Sequence, residues 1–132
     1  MARRAYARKR GGKFNVAPAK DRRWRGKTYD SQMEMRFAQF LAADPGVCAF
    51  SEQPQILMGT DPCIRWRLDF WVEHVEDGIF YAEVTGMMTP EKKRKIKLYR
   101  TYGNLPLKIV TLKGNDWLLL DYIVPEPGEE QC

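Results

Sequence analysis

Two acids, Asp69 and Glu83, stand inside the apolar-rich run RLDFWVEHVEDGIFYAEVTG, residues 67–86. A carboxylate buried in such a run is costly unless it is paired, hydrogen-bonded or bound to a cation. The run reads as two strands, near 64–75 and 79–85, around a Glu76-Asp77-Gly78 turn with glycine at the left-handed position. A three-residue turn sets Val75 opposite Ile79, and hence Trp71 opposite Glu83. Side chains alternate along a strand, so Asp69, two before Trp71, shares a face with Glu83. The two are diagonal neighbours, about 7–8 Å apart at the backbone. Phe70, Val72, Phe80, Ala82 and Val84 form the other, apolar face. Two convergent carboxylates, the main-chain carbonyl of Val84 and some waters make a hard-oxygen set suited to Mg²⁺ or Mn²⁺. An ion held this way polarises a phosphodiester and lowers the pKa of a bound water. Either acid alone reads more plainly as a solvated strand residue; the shared face is what favours chemistry.

A third acid, Glu34, has two readings. Ser31-x-x-Glu34 is a capping box, with the glutamate reaching back to the Ser31 amide. On residues alone, capping and catalysis stand level.

The elements that position these acids follow from periodicity and punctuation. YDSQMEMRFAQFLAADPG has Met33, Phe37, Phe40 and Leu41 at helical spacing, a cap at Asp30 or Ser31 and a Pro-Gly stop. VCAFSEQPQILM reads as strand-like pieces interrupted at Pro54. TPEKKRKIKLYRTYG opens with a capping threonine and a proline at the first helical position, and ends at Gly103. LPLKIVTLKG and DWLLLDYIV are two further strands before the acidic EPGEEQC. The order is α-β-β-β-α-β with an extra strand. At about 100° per residue, Ile96, Leu98, Tyr99 and Tyr102 share a sector of the second helix with Lys92 and Lys95. Lys93, Lys97 and Arg100 lie opposite.

The chain of 132 residues has a net charge of +5, unevenly spread. Residues 1–27 carry 11 of the 22 Lys and Arg and one acid, a net +10, whereas residues 28–132 carry −5. Six of the remaining basic residues fall in EKKRKIKLYR. A basic arm with a basic helix is the footprint of a polyanion binder; the blander reading of the arm alone is a solubilising tail. Neither basic segment carries a broad apolar face, which argues against a membrane surface. No run approaches the roughly 18 apolar residues of a bilayer span, and MARRAYARKRGG has no apolar stretch behind its charges. Three cysteines without C-x-x-C spacing, and a single histidine, argue against a zinc site or a disulfide framework and fit a reducing cytoplasm.

Together, YDSQMEMRF, EQPQ, RLDFWV, DGIFYAEVTG, KKRKIKLY and LPLKIV resemble the PD-(D/E)xK nuclease superfamily, over roughly residues 26–113. Within it the layout is similar to small phage nucleases of the Holliday-junction-resolvase type. The end-cleaving nuclease subunit of some transposons shares the Ser-x-x-Glu, Asp-Pro-x-Val and Glu-Gln-Pro elements. The resemblance implies a restriction-endonuclease-like α/β fold: an αβββαβ core with a mixed central sheet flanked by helices, plus the basic arm. It implies divalent-metal phosphodiester hydrolysis without an organic cofactor, and usually a homodimer. Glu34 becomes the helix acid, Asp69 the motif aspartate, Glu83 the acid of the (D/E)xK triplet, and Gln53 a glutamine near the site. Leu68 replaces the usual proline. Thr85 replaces the lysine that normally orients water and offsets transition-state charge. Either activity is lost, or the amine arrives from the following helix.

The expectation is thus a Mg²⁺- or Mn²⁺-dependent endonuclease for branched or duplex DNA, with an arm over 1–25, a nuclease domain over 26–124 and an acidic tail over 125–132. Glu34, Asp69, Glu83 and Val84 hold the metal, and Lys95 is the first choice for the missing cation. DNA contacts fall to Gln53, Arg65, Arg67, Lys93, Arg94, Lys97 and Arg100, and in the arm to Arg8, Lys9, Arg10, Arg22, Arg23 and Arg25. Trp24 either stacks on an unpaired base or packs against its own domain. His74 reads as structural, and Trp66, Trp71 and Trp117 as core or interface aromatics. The rivals are a non-catalytic DNA-binding protein on the same fold, a transposon-end or nicking nuclease, and an RNA-binding protein.

Overall fold

The alternation of the opening run and the helix signals around it define most of what the chain builds. The computed structural model describes residues 16–126. The expected contacts at Arg8, Lys9 and Arg10 and most of the acidic tail lie outside the described residues. The chain divides into two units, Met1–Gln39 and Phe40–Cys132.

In the first unit a short 3-10 helix, Ala19–Arg22, leads into a miniature antiparallel hairpin of β1, Arg23–Trp24, and β2, Lys27–Thr28. Residues 19–25 of the expected arm thus form the 3-10 helix and the first strand and turn of this hairpin. Its two-residue turn has Arg25 at φ 54° and Gly26 at φ 76°. Both central residues are left-handed, as the I′ type of hairpin turn requires. Glycine accepts this freely; an L residue such as arginine is strained by roughly 1–2 kcal/mol. The Arg22 guanidinium ties the hairpin base down by donating to the carbonyls of Ala17 and Tyr29.

Helix α1, Gln32–Ala43, starts where the sequence places its cap, with the Glu34 amide donating to Ser31 Oγ at 3.0 Å. Its buried residues are Met35, Phe37, Ala38 and Leu41. The expected stripe is thus shifted: Phe40 is 46% exposed and Met33 is half-buried. Half-buried Glu34 lies on the stripe of Phe37, Ala38 and Leu41, at the i, i+3, i+4 and i+7 positions of one helix face.

The second unit is built on a mixed five-stranded sheet, ordered β3 (Val47–Glu52), β6 (Phe70–His74), β7 (Gly78–Val84), β8 (Leu107–Lys113) and β9 (Asp116–Ile123). All neighbours are antiparallel except β7 and β8, which are joined through α2, Pro90–Tyr102, as a parallel pair needs a long crossover. A separate ribbon pairs β4, Gln55–Met58, with β5, Ile64–Arg67. The single strand expected over 64–75 is therefore two, β5 and β6, in different sheets. The reason lies across the ladder. Glu52 pairs with Phe70 and Gln55 with Arg67, in one continuous register. Between them the Gln53 amide donates to the Asp69 carbonyl and the Leu68 amide to the Pro54 carbonyl, both at 2.9 Å. Both strands bend together where Pro54 can donate nothing and Gln53 takes φ 57°. Asp69 sits on that corner.

The core of this unit gathers Ile56, Met58, Trp66, Leu68, Tyr81, Ile96, Tyr99, Leu107, Ile109 and Ile123. Helix α2 buries Ile96 and Tyr99, with Leu98 and Tyr102 packed against the cluster, as the helical wheel predicts. Tyr99 is fully buried, and its hydroxyl donates to the Leu105 carbonyl and accepts the Leu105 amide. Its ring meets Trp66 and Tyr81 edge-on, with centroids 6.1 and 6.5 Å away. His74 is structural: Nε2 lies 3.3 Å from Asp44 Oδ2, and Nδ1 accepts the Glu76 amide. Cys48 is exposed and free, and Cys63 is disulfide-bonded. Among the described residues, no helix is long and apolar enough to cross a membrane.

Candidate functional site

The β6–β7 ladder decides which residues meet. It pairs His74 with Gly78, Trp71 with Tyr81 and Phe70 with Ala82. The loop keeps its expected three residues but is Val75-Glu76-Asp77 rather than Glu76-Asp77-Gly78, which moves the register by two. Val75 does not join the ladder, because its amide donates to the Gly46 carbonyl. A shift of two preserves parity, so Asp69 and Glu83 still share a face. The next rung after Phe70–Ala82 sets them directly across from each other rather than diagonally.

They are interlocked. The Asp69 amide donates to Glu83 Oε1 at 3.1 Å, and the Val84 amide donates to Asp69 Oδ2 at 2.8 Å. Glu83 is only 6% exposed. Burial, and then the negative charge of Asp69, push its pKa up to about 8, while Lys92 pulls in the other direction. The site is short of positive charge even with a lysine beside it.

That lysine is Lys92, whose Nζ lies 3.4 Å from Glu83 Oε2. Its placement is local in origin. Thr89 caps α2, its side chain accepting the Lys92 amide at 3.1 Å, and Pro90 opens the first turn. Lys92 therefore leaves the helix from the third residue, half-buried, beside the end of β7. Lys95, one turn on, lines the same cavity but pairs with Glu91 at 3.8 Å. The cavity, about 300 Å³, is also lined by Trp66, Arg67 and Thr89.

Thr85 takes no part in it. Buried to 3% exposure, it donates from Oγ1 to the Met87 carbonyl at 2.6 Å and accepts the Met87 amide, closing a tight turn between β7 and α2. Thr85 is a brace of the β7–α2 loop.

The remaining sequence candidates are dispersed. Gln53 forms the corner opposite Asp69 through its backbone. Arg65 and Arg67 are exposed on β5, as are Lys93, Arg94 and Lys97 on α2. Arg100 is engaged with Asp121 at 2.9 Å. In the first unit, Arg22 is committed to backbone carbonyls, while Arg23 and Arg25 are exposed. Glu34 stands at the α1 cap. The sequence signal for Lys92 was its place in the inward sector together with its closeness to the Thr-Pro cap.

Among the described residues, no three His, Cys, Asp or Glu side chains are gathered as a ready metal cage. The donor chemistry of the pair nonetheless suits a hard cation. The two interlocked acids present oxygen ligands, and a bound cation would favour the ionised form of Glu83 that burial disfavours. Comparison of the chain with protein-family models, with curated proteins and with solved structures finds no match.

Proposed function

We propose that the protein is a metal-dependent, structure-selective DNA endonuclease on a restriction-endonuclease-like core, acting on branched DNA in the manner of a Holliday-junction resolvase. What carries the reading is the triad of Asp69, Glu83 and Lys92: two acids interlocked across a β-ladder, with an ammonium against the inner one. Asp69, Glu83 and the Val84 carbonyl would hold Mg²⁺ or Mn²⁺, with Glu34 as the helix acid that the superfamily resemblance assigns. Such an ion, when bound, activates water and stabilises charge on a phosphodiester.

The chain's own groups have separable tasks. Lys92 puts positive charge beside the acids, the role of the triplet lysine that Thr85 cannot fill. Arg67 and Lys95, on the cavity wall, suit the phosphates flanking the cut. Lys93, Arg94 and Lys97 extend a cationic face along α2 for backbone contacts that carry no sequence information. Two symmetric cuts in a four-way junction call for a twofold dimer.

A labelled four-way junction incubated with and without Mg²⁺ tests the reading. Wild-type protein is expected to cut only with the ion, and Asp69→Asn to bind without cutting. Undiminished cleavage by Asp69→Asn would refute the assignment. The inward-turned Thr85 hydroxyl favours one rival, a DNA-binding protein without chemistry, which would bind the junction and never cut it. Comparing junctions, flaps and linear duplex separates a resolvase from a transposon-end or nicking nuclease.

A further inference from the structure

The small hairpin of the first unit is built unlike an inert connector. Residues 22–29, RRWRGKTY, carry four basic residues and no acid. The fold uses one of them for itself: Arg22 is half-buried and holds the hairpin base. Of the others, Arg23 and Arg25 are exposed and Lys27 is half-buried. Arg23 Nε lies 3.4 Å from Thr28 Oγ1 across the strands. The Arg25 guanidinium stacks over the Trp24 ring at 4.4 Å, and Lys27 Nζ stands 4.9 Å from the centre of the Tyr29 ring. Tyr29 is buried, so of the two cation–aromatic pairs it is Trp24 with Arg25 that brings a ring and a charge together at the tip.

The tip residue carries the argument further. The first central position of such a turn favours Asn, Asp or Gly, because φ is positive there. Arg25 occupies it at φ 54°. A long cation has been kept where local sterics would choose asparagine, and strain of that kind clusters at places that touch ligands. The Arg25 guanidinium lies over the indole of Trp24, the residue just before it, so the strained turn holds a cation on an aromatic plate.

We infer that this hairpin tip is a probe for unstacked bases: Trp24 with Arg25 forms a plate on which an unpaired base stacks, and Arg23 and Lys27 take the phosphates beside it. Aromatic plates flanked by cations are how strands with open base faces are held. A continuous duplex offers phosphates to such a tip but no free base face, whereas a branch point, flap or gap offers both. The inference rests on the nuclease reading for its partner and adds to it the element that would tell branched DNA from duplex.

The test is binding, measured by fluorescence anisotropy on full-length Asp69→Asn protein with a labelled four-way junction, a flap and a linear duplex. Arg25→Asn restores the residue that the turn favours, so its thermal midpoint should equal or exceed that of its parent. Its affinity for junction and flap should nevertheless fall about tenfold, with about one unit lost from the salt slope. Trp24→Leu should lose about tenfold or more on the branched DNAs and under about threefold on duplex. Unchanged junction affinity in Arg25→Asn, or equal losses on junction and duplex in Trp24→Leu, would overturn the inference while leaving the nuclease reading standing. Failure of the parent protein to bind any of the three DNAs would instead overturn the nuclease reading, and the inference with it.

Discussion

Replacing Glu83 with glutamine should make the protein more stable, by an amount that grows with pH. Burial and Asp69 raise the folded-state pKa of Glu83 from 4.5 to about 8. Between those values the folded chain keeps a proton that the unfolded chain releases, so stability falls as pH climbs through this window and is level above it. Linkage at about 1.4 kcal/mol per pKa unit makes the penalty about 1 kcal/mol at pH 5 and about 3 kcal/mol at pH 7, approaching about 5 kcal/mol above pH 9. Glutamine keeps the shape and can still accept the Asp69 amide, but it never ionises. The assay is urea unfolding of both proteins at half-unit steps from pH 5 to 9, with chelator present. The difference between them is the quantity to read. Asp77, held below the usual carboxylate range by its hydrogen bond and charge pairing with Lys108, titrates below this window and adds no slope to either protein. A stability difference that stays flat from pH 5 to 8 would refute the account of Glu83 as a buried, charge-starved acid.

Millimolar Mn²⁺ or Mg²⁺ should raise the melting temperature of wild type, chelator should reverse the gain, and neither Asp69→Asn nor Glu83→Gln should respond to the ion. Lys92→Met, which takes the ammonium from beside Glu83, should cost about 1–3 kcal/mol at pH 9, where Glu83 is ionised, in denaturant titration and abolish junction cleavage. Lys95→Met, which removes an exposed pair with Glu91, should cost under about 0.5 kcal/mol and reduce cleavage only partially. Tyr99→Phe strips a buried hydroxyl from Leu105 and should cost about 1–2 kcal/mol in the same titration, with no effect on metal response.

The chain showed its two helices plainly, because each has both a start and a stop: Ser31 before α1, and Thr89-Pro90 with Gly103 around α2. The shared face of Asp69 and Glu83 was equally readable, since strand parity survives a ladder displaced by two. What could not be read was anything set by distant backbone. The Gly46 carbonyl claims Val75 and moves the three-residue loop back by one position, and the Gln53–Asp69 rung splits one strand between two sheets. The choice of Lys92 over Lys95 beside Glu83 is a matter of one helical turn. It depends on the loop brace at Thr85, which a wheel diagram of α2 does not contain.

That brace gives the site a ruler. Five residues, 85–89, join the end of β7 to the first turn of α2, with Thr85 tied to Met87 and Thr89 to Lys92. Each residue added or removed there would swing the helix by about 100° and slide it by about 1.5 Å, carrying the ammonium off its carboxylate and bringing a different side chain around. Insertions are therefore ruinous here. A designer wishing to move the cation must re-cut this connector in whole helical turns.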